Sequence, residues 1–325
     1  MNAIGKSSVF FVTLSGLFWG GWVVGSQTPE GQEALAKAYQ AYAEQQSVAN
    51  EDLFAPNALR ALVCGSSQGI DGHEPKPCLA VVAAGRLFVV DAGSGAASAL
   101  SNRNVPLGRL EAVLLTSANL AQSADLDEMY AESARGRTDA LLPVYGPADT
   151  QRTVEGLNAA AGFDGAARGL QAWGPAPEPG RSVIVFEADG LVISAFTTPE
   201  DAFEGRVGYR FDYHGRSLVI GGDGRVVGAE AAANADVVLQ GAQTEALAHL
   251  HQPGSSATTV AEAAAQARMA GAGMMVLTGS ADDSVGAALQ VREARAAGFG
   301  DVIAGRIGML LELPLTNSEV NVRPL

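Results

Sequence analysis

Soft metal donors and basic side chains are scarce in this sequence. Its 325 residues include only 2 cysteines and 4 histidines, and 21 lysines and arginines stand against 35 aspartates and glutamates. The resulting net charge of −14 repels phosphate backbones, so a general nucleic-acid binder is excluded. Charged residues make up 17% of the chain and hydrophobic ones 47%, which excludes global disorder and leaves ample material for a buried core. The length fits one large domain with an appendage, or two ordinary domains.

Charge is missing altogether from Ser7 to Thr28, a run that includes Val9-Phe10-Phe11-Val12 and Leu17-Phe18-Trp19. As a helix it would be about 33 Å long, enough to cross a bilayer core. Lys6 precedes the run and Glu30 and Glu33 follow it. The positive-inside tendency therefore predicts a single-pass protein of a bacterial inner membrane, with a cytoplasmic amino terminus and a periplasmic body. Gly16 and Gly20, like Gly21 and Gly25, are four residues apart, the spacing of small residues that lets membrane helices pack closely. A cleaved signal peptide, with Val24 and Ser26 near the cut, is the competing reading, although the apolar run is long for one. The organisation expected is an anchor at 1–28, a helical spacer at 29–57 and a globular body at 58–325. Thr28 is placed to cap the spacer helix, and Leu35, Tyr39 and Tyr42 fall roughly on one face of it.

From Leu59 the chain turns to short apolar runs punctuated by glycine, the pattern of strands. Strands are predicted at 59–63, 79–84, 86–91 and 112–116, then at 182–186, 191–196, 208–213, 217–220, 237–240 and 274–277. Helices are predicted at 124–134, 150–161 and 258–270. Two half-sheets, each followed by helices, predict one layered α/β sandwich, with the Pro-rich stretch 174–180 as a surface loop inside it.

Several blocks then become specific. Leu87-Phe-Val-Val-Asp-Ala-Gly-Ser-Gly95, Leu110-Glu-Ala-Val-Leu-Leu-Thr116, Pro143-Val-Tyr-Gly-Pro147, Gly208-Tyr-Arg-Phe-Asp-Tyr213 and Ser217-Leu-Val-Ile-Gly-Gly-Asp223 follow in order. Together they resemble the metallo-β-lactamase superfamily, and within it the ribonuclease Z/arylsulfatase-like branch. The resemblance covers about 59–313 and implies an αββα sandwich with a dinuclear metal site at the sheet edges. It also implies a His-x-His-x-Asp-His run directly after the strand that ends in Leu-Thr. Here that run reads Ser117-Ala-Asn-Leu-Ala-Gln122: Ser117, Asn119 and Gln122 take the histidine positions and Ala121 the aspartate position. Glu200 stands for a further histidine and Gly279 for the last one, while Asp223 matches the bridging aspartate. Gln240-Gly241 replaces a His-Glu pair, and Ala257 stands where another histidine would precede Thr258.

Zinc needs deprotonated nitrogen, sulfur or oxygen donors, and this exchange removes most of them. Without the metal, a bound water returns from a pKa near 7 to about 15.7, roughly 12 kcal/mol of lost activation. No Ser–His or Cys–His arrangement replaces it, and Ser94 and Ser98 have no base near them in sequence. They read as part of the turn after a strand and the start of a helix. Asp223 and Glu200, aided by Asn119 and Gln122, would make an alternative site for a hard cation. His249 and His251 fall outside the ligand positions, and His73 and His214 lie in polar turns. Cys64 and Cys78 either form a disulfide in an oxidising space or remain buried thiols.

The sequence thus predicts a catalytically inactive, membrane-anchored body with no cofactor and no nucleic-acid partner. Its predicted role is an accessory subunit that meets integral membrane partners through the amino-terminal helix and the acidic body. A residual or repurposed metal-dependent hydrolase and a small-ligand binder that reuses the old cleft are the alternatives.

Overall fold

The computed structural model describes residues 28, 29, 32–34, 36, 37, 51–65, 76–135, 141–174, 176–198, 205–222, 230–245, 258–278 and 284–325. The contacts divide the chain into two units, 1–52 and 53–325.

In the first unit the described residues from Pro29 to Lys37 are helical and exposed. The Thr28 carbonyl accepts the Gln32 N–H, and Lys37 pairs with Glu33 one turn away. The apolar run proper, with Gly16, Gly20, Gly21 and Gly25, lies outside the described residues, as do Leu35, Tyr39 and Tyr42. No helix among the described residues is long and apolar enough to cross a membrane.

The second unit is built on two sheets. The first contains β1 (Ala58–Val63), β2 (Leu79–Ala83), β3 (Arg86–Val90), β4 (Leu110–Leu114), β5 (Leu141–Tyr145), β6 (Gly169–Ala172), β14 (Met309–Pro314) and β15 (Asn321–Pro324). Their order is β15-β14-β1-β2-β3-β4-β5-β6, antiparallel up to β3 and parallel from β3 onward. The second contains β7 (Ser182–Ala188), β8 (Leu191–Phe196), β9 (Gly208–Tyr213), β10 (Arg216–Ile220), β11 (Val237–Gln240), β12 (Met274–Leu277) and β13 (Val302–Ala304), in the order β13-β12-β11-β10-β9-β8-β7. Alternate residues of both sheets interdigitate in a core that includes Val81, Phe88, Ile193, Phe211 and Leu218. Phe88 meets Phe186 and Phe211 edge-to-face, at 5.0 and 6.2 Å between ring centres.

Helices cover the outer faces. α1 (Ala96–Ser101), α2 (Leu120–Ser123), α3 (Leu126–Ser133) and α4 (Thr150–Ala161) follow strands of the first sheet. Leu100, Leu126, Met129 and Val154 join its outer core. α5 (Val260–Met269) and α6 (Ser284–Ala296) follow β11 and β12, and Ala264, Ala267 and Ala294 pack on the second sheet with Met275. Two helices beside parallel strands give the βαβ crossovers that the short loops require. α5 starts where a capping box forms: Thr259 Oγ1 accepts the Glu262 N–H, and the Glu262 carboxylate accepts the Thr259 N–H.

The two-sheet sandwich agrees with the sequence expectation, with corrections in detail. The third predicted helix boundary tightens from 258–270 to α5, and 124–134 becomes α3, because Asp125 leaves the helix to bind backbone at α1. The strand predicted at 112–116 is β4, 110–114: Thr116 gives its N–H to a side chain instead of a ladder. β5, β6, β13, β14, β15 and α6 were not anticipated.

Two buried arginines explain much of the missed carboxyl-terminal structure. Arg60 of β1, 1% exposed, donates to Glu312 Oε2 at 2.7 Å, to the Ala55 carbonyl and to Asn57 Oδ1. Arg216 opens β10 and donates to Asp236 and to the carbonyls of Pro314, Asn317 and Glu319, which fixes the β14–β15 turn. Removing one partner from such a network strands the others, at a cost of about 3–5 kcal/mol. Arg216→Ala is therefore expected to lower stability by about that amount, seen as a lower urea midpoint at unchanged m; an unchanged midpoint would contradict the role given to this side chain.

Candidate functional site

β3, β4, β10, β11 and β12 all end at one edge of the sandwich, and the candidate site lies there. β3 ends in Asp91, whose backbone is left-handed at φ 60. Aspartate tolerates this conformation better than most residues. Its carboxylate is buried and receives two short bonds from Thr116, the N–H at 2.7 Å and Oγ1 at 2.7 Å. The Ala92 N–H then goes to the Gln122 carbonyl, and Asp125 receives the Gly95 and Ala97 N–H groups at the start of α1. Ser94 and Ser98 sit in this turn and in α1.

The segment Ser117–Gln122, where the resemblance leads one to expect metal ligands, follows directly. Ser117 is 2% exposed, and its Oγ accepts the Asn119 N–H at 3.3 Å. Asn119 is exposed and precedes α2, where its carbonyl accepts from Ser123 and Gln122. Ala121 is half-buried, and Gln122 is 1% exposed. Opposite them, the Gln240 amide donates to the Gly222 and Gly241 carbonyls. Gly222 has φ +68, and a Cβ there would come within 2.8 Å of the Thr116 side chain, so only glycine lets β10 approach β4 this closely. A cavity of about 10 Å³, room for roughly one water, lies between Asp91, Gly222, Thr278 and Cys78.

Tyr209 is fully buried on β9 and donates its hydroxyl to the Leu115 carbonyl at 2.8 Å. Burial, and then the nearby Asp91 charge, push its phenol well above the ordinary value near 10. Cys64 and Cys78 form a disulfide, with Cα atoms 4.9 Å apart, so the buried-thiol alternative is set aside. The Cys78 carbonyl accepts both the Cys64 and Gly65 N–H groups, and Pro77 accepts the Gly93 N–H. The bridge thus joins the first loop to the turn that carries Asp91. His214 is exposed in its turn, beside Tyr213.

Glu200, Asp223, Gly279, Ala257, His73, His249 and His251 lie outside the described residues. The described residues include no group of three or more histidine, cysteine, aspartate or glutamate side chains able to hold a metal. Among the described residues the donors that meet here are a serine hydroxyl and neutral amides, while the buried carboxylates of Asp91 and Asp125 are spent on backbone and hydroxyl groups. By themselves these described donors do not make a zinc-pair site. Tyr209, Asp91 and Thr116 were missed as site residues; the Asp-Ala-Gly turn was the one signal that pointed to Asp91.

No protein-family model matches the chain. Among curated proteins it is 28% identical over 162 residues to ribonuclease Z of Mycolicibacterium gilvum (strain PYR-GCK), covering 47% of this chain and 57% of that protein. It is 26% identical over 224 residues to ribonuclease Z of Mycobacterium sp. (strain KMS), covering 64% and 79%. The alignment thus spans little over half the length of the first of these relatives. Among solved structures, the metallo-β-lactamase fold protein YhfI from Bacillus subtilis superposes with a TM-score of 0.60 at 21% identity, covering 79% of this chain and all of that one. The chain has the metallo-β-lactamase fold. Human tRNase Z, short form, shares the fold with a TM-score of 0.59 at 17% identity, over 78% and 99% of the two chains.

Two predictions follow from this edge. Tyr209 keeps its proton in the folded state above the pH at which an unfolded tyrosine loses it, so the unfolded chain binds fewer protons there. Its contribution is complete below about pH 10 and is lost as pH rises from there towards the folded value. Wild type should therefore lose more stability than Tyr209→Phe between pH 8 and pH 11 in urea titrations; equal losses would show that this phenol is not held neutral by the fold. Reducing the Cys64–Cys78 bridge, or replacing it in Cys64→Ser/Cys78→Ser, should cost about 3 kcal/mol in the same assay.

Proposed function

We propose that this is a metallo-β-lactamase-fold protein that has lost metal-dependent hydrolysis and serves as an accessory subunit of a membrane assembly. The observation that carries the reading is the segment after β4, where buried Ser117 and Gln122 offer a hydroxyl and an amide at positions that need imidazoles. Neither side chain can supply the negative or strongly basic donor that lowers the pKa of a bound water. The edge is instead held by bonds within the protein: Asp91 to Thr116, Tyr209 to Leu115, Gln240 to Gly222. The uncharged run 7–28 supports a single-pass anchor in a bacterial inner membrane, with the body in the periplasm. The Cys64–Cys78 disulfide is compatible with that oxidising space. Integral membrane subunits are the partners proposed, met through the Gly16/Gly20 and Gly21/Gly25 faces and the acidic body.

A second reading, a hydrolase retained with another metal set, is favoured by the ribonuclease Z relatives and would rely on Asp223 and Glu200.

Metal analysis of the purified full-length protein, with bis(p-nitrophenyl) phosphate as a generic phosphodiester, separates the two. The expected result is no stoichiometric zinc, manganese or iron, and hydrolysis at the rate of the protein-free control with or without added metal. Two ions per chain and turnover abolished by a chelator would overturn the inactive reading. Co-purification of integral membrane proteins from native membranes tests the subunit role, and a partner-free monomer would end it.

A further inference from the structure

We draw no further inference here: the strongest candidate, the cleft beside the start of α4 lined by Pro147, Pro177, Thr197 and Arg206, adjoins residues 199–204, which lie outside the described residues, and its arginine already has a partner, so nothing in the structure shows what would occupy it.

Discussion

One buried carboxylate holds the candidate edge in shape. Asp91 occupies a left-handed conformation that costs about 1–2 kcal/mol for a residue with a side chain. It receives two charge-assisted bonds from Thr116, each contributing about 1.5–3 kcal/mol, so the gain exceeds the strain. The ends of β3 and β4 are thereby tied together, and the segment Ser117–Gln122 starts from a fixed point. Gly222 packs directly on Thr116, so the second sheet is brought to the same point.

The rest of the edge is organised around that junction. Tyr209 reaches across from β9 to the Leu115 carbonyl, and the Asp125 carboxylate gathers the first N–H groups of α1. The disulfide then holds the first loop against the Asp91 turn through the Pro77–Gly93 bond. In a metallohydrolase, ions crosslink such an edge; here hydrogen bonds and one covalent bridge do so among the described residues. This is the physical content of the proposal that the fold outlasted its chemistry: the described residues crosslink the edge through bonds of their own.

Much of the sandwich was legible because its strands obey local rules. 191–196, 208–213, 237–240 and 274–277 are short apolar or aromatic runs bounded by turn residues, and all four strands have those bounds. α4 was read correctly because its stop is local too, with Gly162 in the left-handed cap. β5 was hidden by Pro143, a residue disfavoured inside sheets. Arg216 was left outside β10 because a charged residue beside a turn looks solvated, whereas four distant groups desolvate and bind it.

Composition and order of residues determined by themselves that nitrogen and sulfur donors are few, that the chain is strongly acidic, and that Ser117, Asn119, Ala121 and Gln122 stand in the segment after the fourth strand. These are covalent facts, unaffected by how the chain folds. Tertiary structure decided which polar groups became buried and to whom they bind: Asp91 to Thr116, Arg60 to Glu312, Tyr209 to Leu115. Partners 25, 252 and 94 residues apart in the chain meet only after the sheets assemble, so no local pattern could announce them.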